Sequence, residues 1–298
     1  MITTPLRPAL ALAAIATALT LPAQAQTTLE KAKASGSISV SYRESSIPFS
    51  YLDDKAQPVG FAVEICDRIV DEVKKATGRA DLKVTRQAVT SANRIPLLVN
   101  GTIDIECGST TNNSDRGKQV AFATNYFYTG TRFLVKADSG IKGMADLNNK
   151  VVVSTTGTTN FRIMRNMITE QKLPIELIGA KDHSESALLV ESSRAAAFAM
   201  DDILLYGLRA SAQNPASLAV VGEAIQVEPY ALMVRRDDPA FKSLVDGVLA
   251  GMMKSGEFTR LYTKWFQSPI PPRGINLNAP MGKELIDNMK ALSDKPAT

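Results

Sequence analysis

A chain of 298 residues with 45% hydrophobic and 21% charged side chains carries enough apolar matter for one large core or two modest ones, and it lacks the composition of a disordered chain. Its excess of four positive charges is small and scattered among acids, as in Glu72-Val73-Lys74-Lys75, the pattern of a solvated helix face, which excludes nucleic acid as a partner. One histidine and two cysteines leave little room for a zinc site.

Residues 1–25 read as a cleavable export signal. Arg7 is their only charged side chain, an apolar run follows from Ala9 to Leu21, and Ala23-Gln24-Ala25 supplies the small-x-small pattern that signal peptidase needs. The mature chain would start near Gln26 with a net charge of +3. The apolar run is too short to span a bilayer, and no Cys follows the cleavage pattern to carry a lipid. The expected location is therefore the periplasm. In that oxidising compartment Cys66 and Cys107 either pair or serve as small buried apolar residues, and the sequence leaves both open.

Along the mature chain, Ser37 to Arg43 alternates Ile38, Val40 and Tyr42 with polar residues and predicts a half-buried strand. Phe61, Ile65, Ile69 and Val73 recur at helical spacing before a stop at Gly78. Leu82 to Val89 predicts a second strand, Asn93 to Val99 a helix, and Ile103 to Ile105 a third strand. The pattern then restarts with strands at Phe133–Val135 and Val151–Val153, a helix from Gly157 to about Ile168, a buried strand from Ala195 to Met200, and a helix capped by Asp201. From Tyr230 a strand leads into helices over Pro239–Met253 and Glu257–Phe266, then a loop-rich tail. Two α/β units with parallel strand pairs are implied, with no flexible linker between them.

Open α/β sheets bind ligands outside the carboxyl ends of their strands, and three such ends are rich in polar groups. Arg43 ends the first strand. The third runs into Cys107-Gly108-Ser109-Thr110-Thr111-Asn112-Asn113, with Arg116 beyond. Val151–Val153 runs into Ser154-Thr155-Thr156-Gly157-Thr158-Thr159 at a helix N-terminus, where free N–H groups favour an anion; the same residues also suit an N-cap and turn. Arg43, Arg94 and Arg116 at loop positions suit carboxylates, although each alone reads equally as a solvated side chain, as Ser91 and Asp201 read as helix caps and His183 as a structural histidine. No Gly-x-Ser-x-Gly, P-loop or His-Glu-x-x-His pattern occurs, so neither catalytic residues nor a cofactor is expected.

The strings Arg43-Glu44-Ser45-Ser46-Ile47-Pro48-Phe49-Ser50-Tyr51, Ser91-Ala92-Asn93-Arg94-Ile95-Pro96-Leu97-Leu98, Glu106-Cys107-Gly108-Ser109-Thr110-Thr111-Asn112-Asn113, Ala180-Lys181-Asp182-His183 and Met200-Asp201-Asp202 resemble the periplasmic glutamate/aspartate-binding proteins of ABC importers. The resemblance runs through the mature chain to Lys264-Trp265-Phe266. It implies a type II periplasmic-binding-protein fold, α/β and two-lobed, each lobe a mostly parallel sheet flanked by helices with the ligand in the cleft between them. Lobe one would comprise 26–130 and 228–298, and lobe two 131–227. The resemblance further implies that Arg116, Thr111 and Thr159 hold a ligand α-carboxylate, Ser109 and Asp201 its α-ammonium, and Arg43, Ser91, Arg94 and His183 its side-chain carboxylate, which would favour the imidazolium of His183. The implied partners are L-glutamate or L-aspartate and an inner-membrane permease with its ATPase, served by a monomer. Where the family carries a cysteine soon after the tyrosine matching Tyr230, this chain has Ala231-Leu232-Met233, and Cys66 falls where the family has none, so the resemblance leaves the pairing of Cys66 and Cys107 open. Two other readings are a periplasmic enzyme on the same fold, such as a cyclohexadienyl dehydratase, and a module that delivers ligand to a membrane receptor.

Overall fold

The long helix and the first three strands form where hydrophobic spacing predicts them. In the protein's structure, a computed structural model that describes residues 26–297, the helix spans Phe61–Thr77 and ends at Gly78. Phe61, Ile65, Ile69 and Val73 on one face are fully buried, each contributing about 1.5–3 kcal/mol of hydrophobic stabilisation. The expected export signal at residues 1–25 lies outside the described residues. Among the described residues, no helix is long and apolar enough to cross a membrane.

The strands gather into two large sheets and one small one. The first sheet runs in the order Lys83–Ala88, Ser37–Tyr42, Ile105–Glu106, Met233–Arg235, Val120–Phe122, its first three strands parallel. Met233–Arg235 runs antiparallel to both neighbours. The second sheet runs in the order Glu176–Ala180, Val151–Thr155, Ala197–Asp201, Phe127–Lys136, Leu218–Val221, again with three parallel strands and then antiparallel pairs. Each sheet is thus mixed rather than mostly parallel. The antiparallel pairs arise where the chain crosses from the first sheet to the second along Phe127–Lys136 and returns along Val227–Tyr230, which pairs with the start of the outgoing strand. The strand expected near Phe133–Val135 is therefore the far half of a ten-residue element.

An aromatic cluster fastens the crossing to the first sheet. Phe49 packs edge-on against Phe127 and Tyr230 of the two crossing strands at 4.9 and 5.2 Å and against Phe266 of the helix Glu257–Phe266 at 5.4 Å. Such pairs add about 0.5–1.5 kcal/mol each beyond their burial. The two halves meet closely at two glycines. A Cβ on Gly157, whose φ is +79°, would lie 2.6 Å from the Cα of Ala92, and a Cβ on Gly207 would lie 2.6 Å from the Ile47 carbonyl oxygen. Only a residue without a side chain lets these surfaces touch.

Cys66, in the helix Phe61–Thr77, and Cys107, just after Ile105–Glu106, form a disulfide with Cα atoms 6.3 Å apart. The choice left open by the sequence is settled by the parallel order of the sheet, which brings that strand end under the helix. A cross-link between residues 41 apart restricts the unfolded chain. Adding a reductant should lower the urea-unfolding free energy of the native chain by about 2–4 kcal/mol; an unchanged midpoint after confirmed reduction would show that the bridge contributes nothing.

Candidate functional site

The three polar strand ends converge at the junction of the two sheets. Ser91, Arg94, Ser109, Thr111, Thr159, His183 and Asp201 line one narrow space, together with Thr158, Asn160 and Met200. Arg43 and Arg116 flank it, Arg43 through hydrogen bonds to Ser91 and His183 and Arg116 through bonds to Thr111 and Gly157. All nine residues singled out in the sequence therefore come together, and all nine are buried.

The two ends of this space differ in how their donors are engaged. At one end Arg43 donates from Nη2 to Ser91 Oγ at 2.9 Å and to His183 Nε2 at 3.3 Å. Its Nη1 meets no protein acceptor, nor does Nε of Arg94. Arg94 reaches only the Ser109 carbonyl at 3.5 Å and Glu106 Oε1 at 4.0 Å. Ser91 accepts from Arg43 and keeps its own proton free. Ser109 Oγ also lacks a protein partner. A buried donor without an acceptor costs about 1–3 kcal/mol, more when charged, so a group of such donors in one space is a surface built for an acceptor-rich guest. At the other end Arg116 donates from Nη1 to the Thr111 carbonyl at 2.9 Å and from Nη2 to the Gly157 carbonyl at 3.1 Å. The latter bond crosses between the halves.

Burial and mutual repulsion press the arginines down, Arg43 to about 10 and Arg116 to about 9, with Glu106 and Glu228 pulling the other way. Both remain cationic at neutral pH. Burial, Arg43 and Arg94 hold the pKa of His183 well below the ordinary value, against the imidazolium that a neighbouring carboxylate would favour. Its tautomer follows from a chain of protons. Ser186 Oγ donates to the Asp182 carbonyl at 2.8 Å, so Thr155 Oγ1 must donate to Ser186 at 2.9 Å, and must accept from His183 Nδ1 at 2.9 Å. Nε2 is left to accept from Arg43. His183 thus positions a guanidinium instead of adding a charge.

Asp201 occupies a helix N-cap position without capping; its side chain makes no bond to the helix Asp202–Ser211. Asn160 donates to Oδ1 at 2.7 Å, and the Tyr230 hydroxyl donates to Oδ2. Burial first, and then Glu228, push its pKa up to about 8. Ser91 likewise caps nothing, since Asn93 holds the N-cap position of Arg94–Val99. Several participants escaped the sequence reading. Asn160, which also donates to Thr131 at 2.8 Å, follows Thr159 at a helix start and could have been suspected there. Glu106 and Glu228, both fully buried, carry no local signal: one ends a strand among apolar residues, and the other lies in a crossing strand.

Comparison with known proteins agrees with this architecture. The profile of the bacterial extracellular solute-binding proteins, family 3, matches residues 38–268. The glutamate/aspartate import solute-binding protein of Escherichia coli is 47% identical over 259 residues, covering 87% of this chain and 84% of that one. The L-glutamate/L-aspartate-binding protein of Pseudomonas aeruginosa is 46% identical over 261 residues, covering 87% and 86%. Among solved structures, an ancestral amino acid-binding protein described as a precursor of cyclohexadienyl dehydratase superposes with a TM-score of 0.69 at 27% identity, over 80% of this chain and 99% of that one. The profile match spans both sheets and every residue of the buried cluster, and the chain belongs to the bacterial extracellular solute-binding proteins, family 3.

Proposed function

We propose that this protein is a periplasmic binding protein that captures L-glutamate or L-aspartate and presents it to an inner-membrane ABC permease and its ATPase. The observation that carries the reading is the set of buried, unpartnered donors on Arg43, Arg94 and Ser109 beside the buried carboxyl of Asp201. A dianion bearing one ammonium answers both demands. Arg43, Ser91 and Arg94 would take the side-chain carboxylate, with His183 holding Arg43 in place. Ser109 and Asp201 would take the ammonium, and Arg116 with Thr111 and Thr159 the α-carboxylate. The names of the relatives from Escherichia coli and Pseudomonas aeruginosa support the ligand class. The two sheets with their double crossing support a division into lobes at 26–130 plus 228–298 and 131–227, closing around the ligand by a hinge motion. The leader-like residues 1–25 support export. An enzyme on this fold has less support, because the only histidine lining the space is committed at both ring nitrogens.

Arginines at the two ends should have separable effects. Stranding a buried ionic partner costs roughly 3–5 kcal/mol, and each factor of ten in affinity is about 1.4 kcal/mol, so Arg94→Met should weaken glutamate by at least about a hundredfold while changing glutamine far less. Arg116→Met should weaken both alike, since both carry the same α-carboxylate. Parallel losses in Arg94→Met, measured by calorimetry, would move Arg94 to the shared end; no loss would remove it from the site.

Proton linkage tests the ammonium subsite. Because the Asp201 pKa stands near 8, its carboxyl is mostly protonated at pH 7, and an incoming ammonium favours the carboxylate. Binding at pH 7 should therefore release close to one proton, and affinity should fall about tenfold per unit as pH drops below 8. Binding enthalpies that do not vary with the ionisation enthalpy of the buffer would contradict an ammonium at Asp201.

A further inference from the structure

Glu228 stands outside the nine-residue set, yet it touches the residues at the α-carboxylate end. It lies on the return strand Val227–Tyr230, opposite Thr129 of the outgoing strand, and is fully buried. A single oxygen, Oε2, accepts from Thr111 Oγ1 at 2.8 Å and from Thr159 Oγ1 at 2.7 Å, while Oε1 accepts from Gln226 Nε2 at 2.9 Å. Thr111 follows a strand of the first sheet, and Thr159 opens the helix that follows a strand of the second. The two hydroxyl oxygens are 3.2 Å apart.

Each threonine hydroxyl has one proton, and both protons go to Glu228. The side chains therefore have none left for a ligand, and what they offer instead is the main chain. Thr159 is the first residue of its helix, where N–H groups have no intrahelical acceptor, and among the described residues the Thr111 N–H has no backbone acceptor. One carboxylate oxygen can receive both hydroxyls only while the two halves are closed on each other. Moving Thr159 away with the second sheet breaks at least one of the two bonds. The bonds to a carboxylate are of the charge-assisted kind, stronger than those between neutral groups.

We propose that Glu228 is a latch for the closed cleft: its carboxylate ties Thr111 to Thr159 across the junction and so holds their N–H groups in place around the ligand's α-carboxylate. Glu228 acts through the threonines and is a positioning residue. The latch rests on the reading of the site given above, in that it needs a cleft that closes on an amino acid. It sits beside the Arg116 bond to the Gly157 carbonyl, so the same edge of the cleft carries two ties of different chemistry. Because the α-carboxylate end is common to all amino acids, the latch sets how long a ligand stays and leaves the choice of side chain to Arg43 and Arg94.

The test uses the ligand-stripped full mature chain with L-glutamate and L-glutamine as probes, read by calorimetry and stopped-flow fluorescence. Glu228→Ala should raise the glutamate dissociation constant by about tenfold or more, the size expected for losing a hydrogen bond to a charged group. The loss should appear in the dissociation rate with association little changed, and the fold-loss for glutamine should match. Glu228→Gln keeps an acceptor oxygen and should recover part of the affinity. Thr159→Val keeps the N–H and removes the hydroxyl. It should cost about as much as Glu228→Ala, and the double variant little more, because both cut one tie. Should Glu228→Ala not fold, Thr159→Val and Glu228→Gln carry the comparison. Unchanged or tighter binding in a folded Glu228→Ala protein would overturn the latch, as would additive losses in the double variant or an effect confined to glutamate. A native chain that binds no acidic amino acid at all would instead overturn the reading of the site.

Discussion

Three guanidinium groups shut away from water at one junction are the constraint on which the rest of this structure depends. Arg43, Arg94 and Arg116 are each nearly inaccessible, and two of them depress the protonation of neighbours: Arg94 lowers Arg43 and Arg116, and Arg43 and Arg94 lower His183. Burying a charge costs several kcal/mol unless partners replace the lost water. The fold supplies such partners from distant parts of the chain. Glu106 comes from the first sheet, Glu228 from the return crossing, Ser91 from the start of a short helix and His183 from the second half. That supply is incomplete at Arg43 Nη1 and Arg94 Nε, and the shortfall defines what the site accepts.

The two ends of the space solve different problems. At the Arg43–Arg94 end the donors are left open, held in place by His183 and by the Ser109 carbonyl. At the Arg116 end the side-chain donors are closed upon the protein itself, on two carbonyls and on Glu228. In the proposed reading, closure depends on the second arrangement and selectivity on the first. The close approach of Gly157 to Ala92 lets the two coexist, because any side chain there would hold the Thr159 helix away from Thr111.

Local pattern made much of this legible. Hydrophobic spacing located the helix Phe61–Thr77 and the strand ends that carry Arg43, Ser109 and Thr159, since burial on one face imposes its period on the sequence. What local pattern cannot carry is pairing between distant segments. The place of Met233–Arg235 between Ile105–Glu106 and Val120–Phe122 is fixed by the return crossing. The Cys66–Cys107 bridge follows from the register of the parallel strands. Asp201 illustrates the limit most sharply: in sequence it has the position of a helix cap, whereas Asn160 and Tyr230 draw its oxygens into the cleft. Glu228 was visible only as part of a crossing between halves, because its partners lie 117 and 69 residues away.

The central claim is that an unfilled set of cationic donors lies beside the buried carboxyl of Asp201, and that together they select a dicarboxylate carrying an ammonium. Calorimetry of the ligand-stripped protein against glutamate, aspartate, glutamine, arginine and leucine tests it most directly. The account predicts saturable binding of glutamate or aspartate, at least about a hundredfold tighter than of the other three, corresponding to roughly 2.7 kcal/mol of discrimination. Equal affinity for glutamine or leucine, or a preference for arginine, would contradict it.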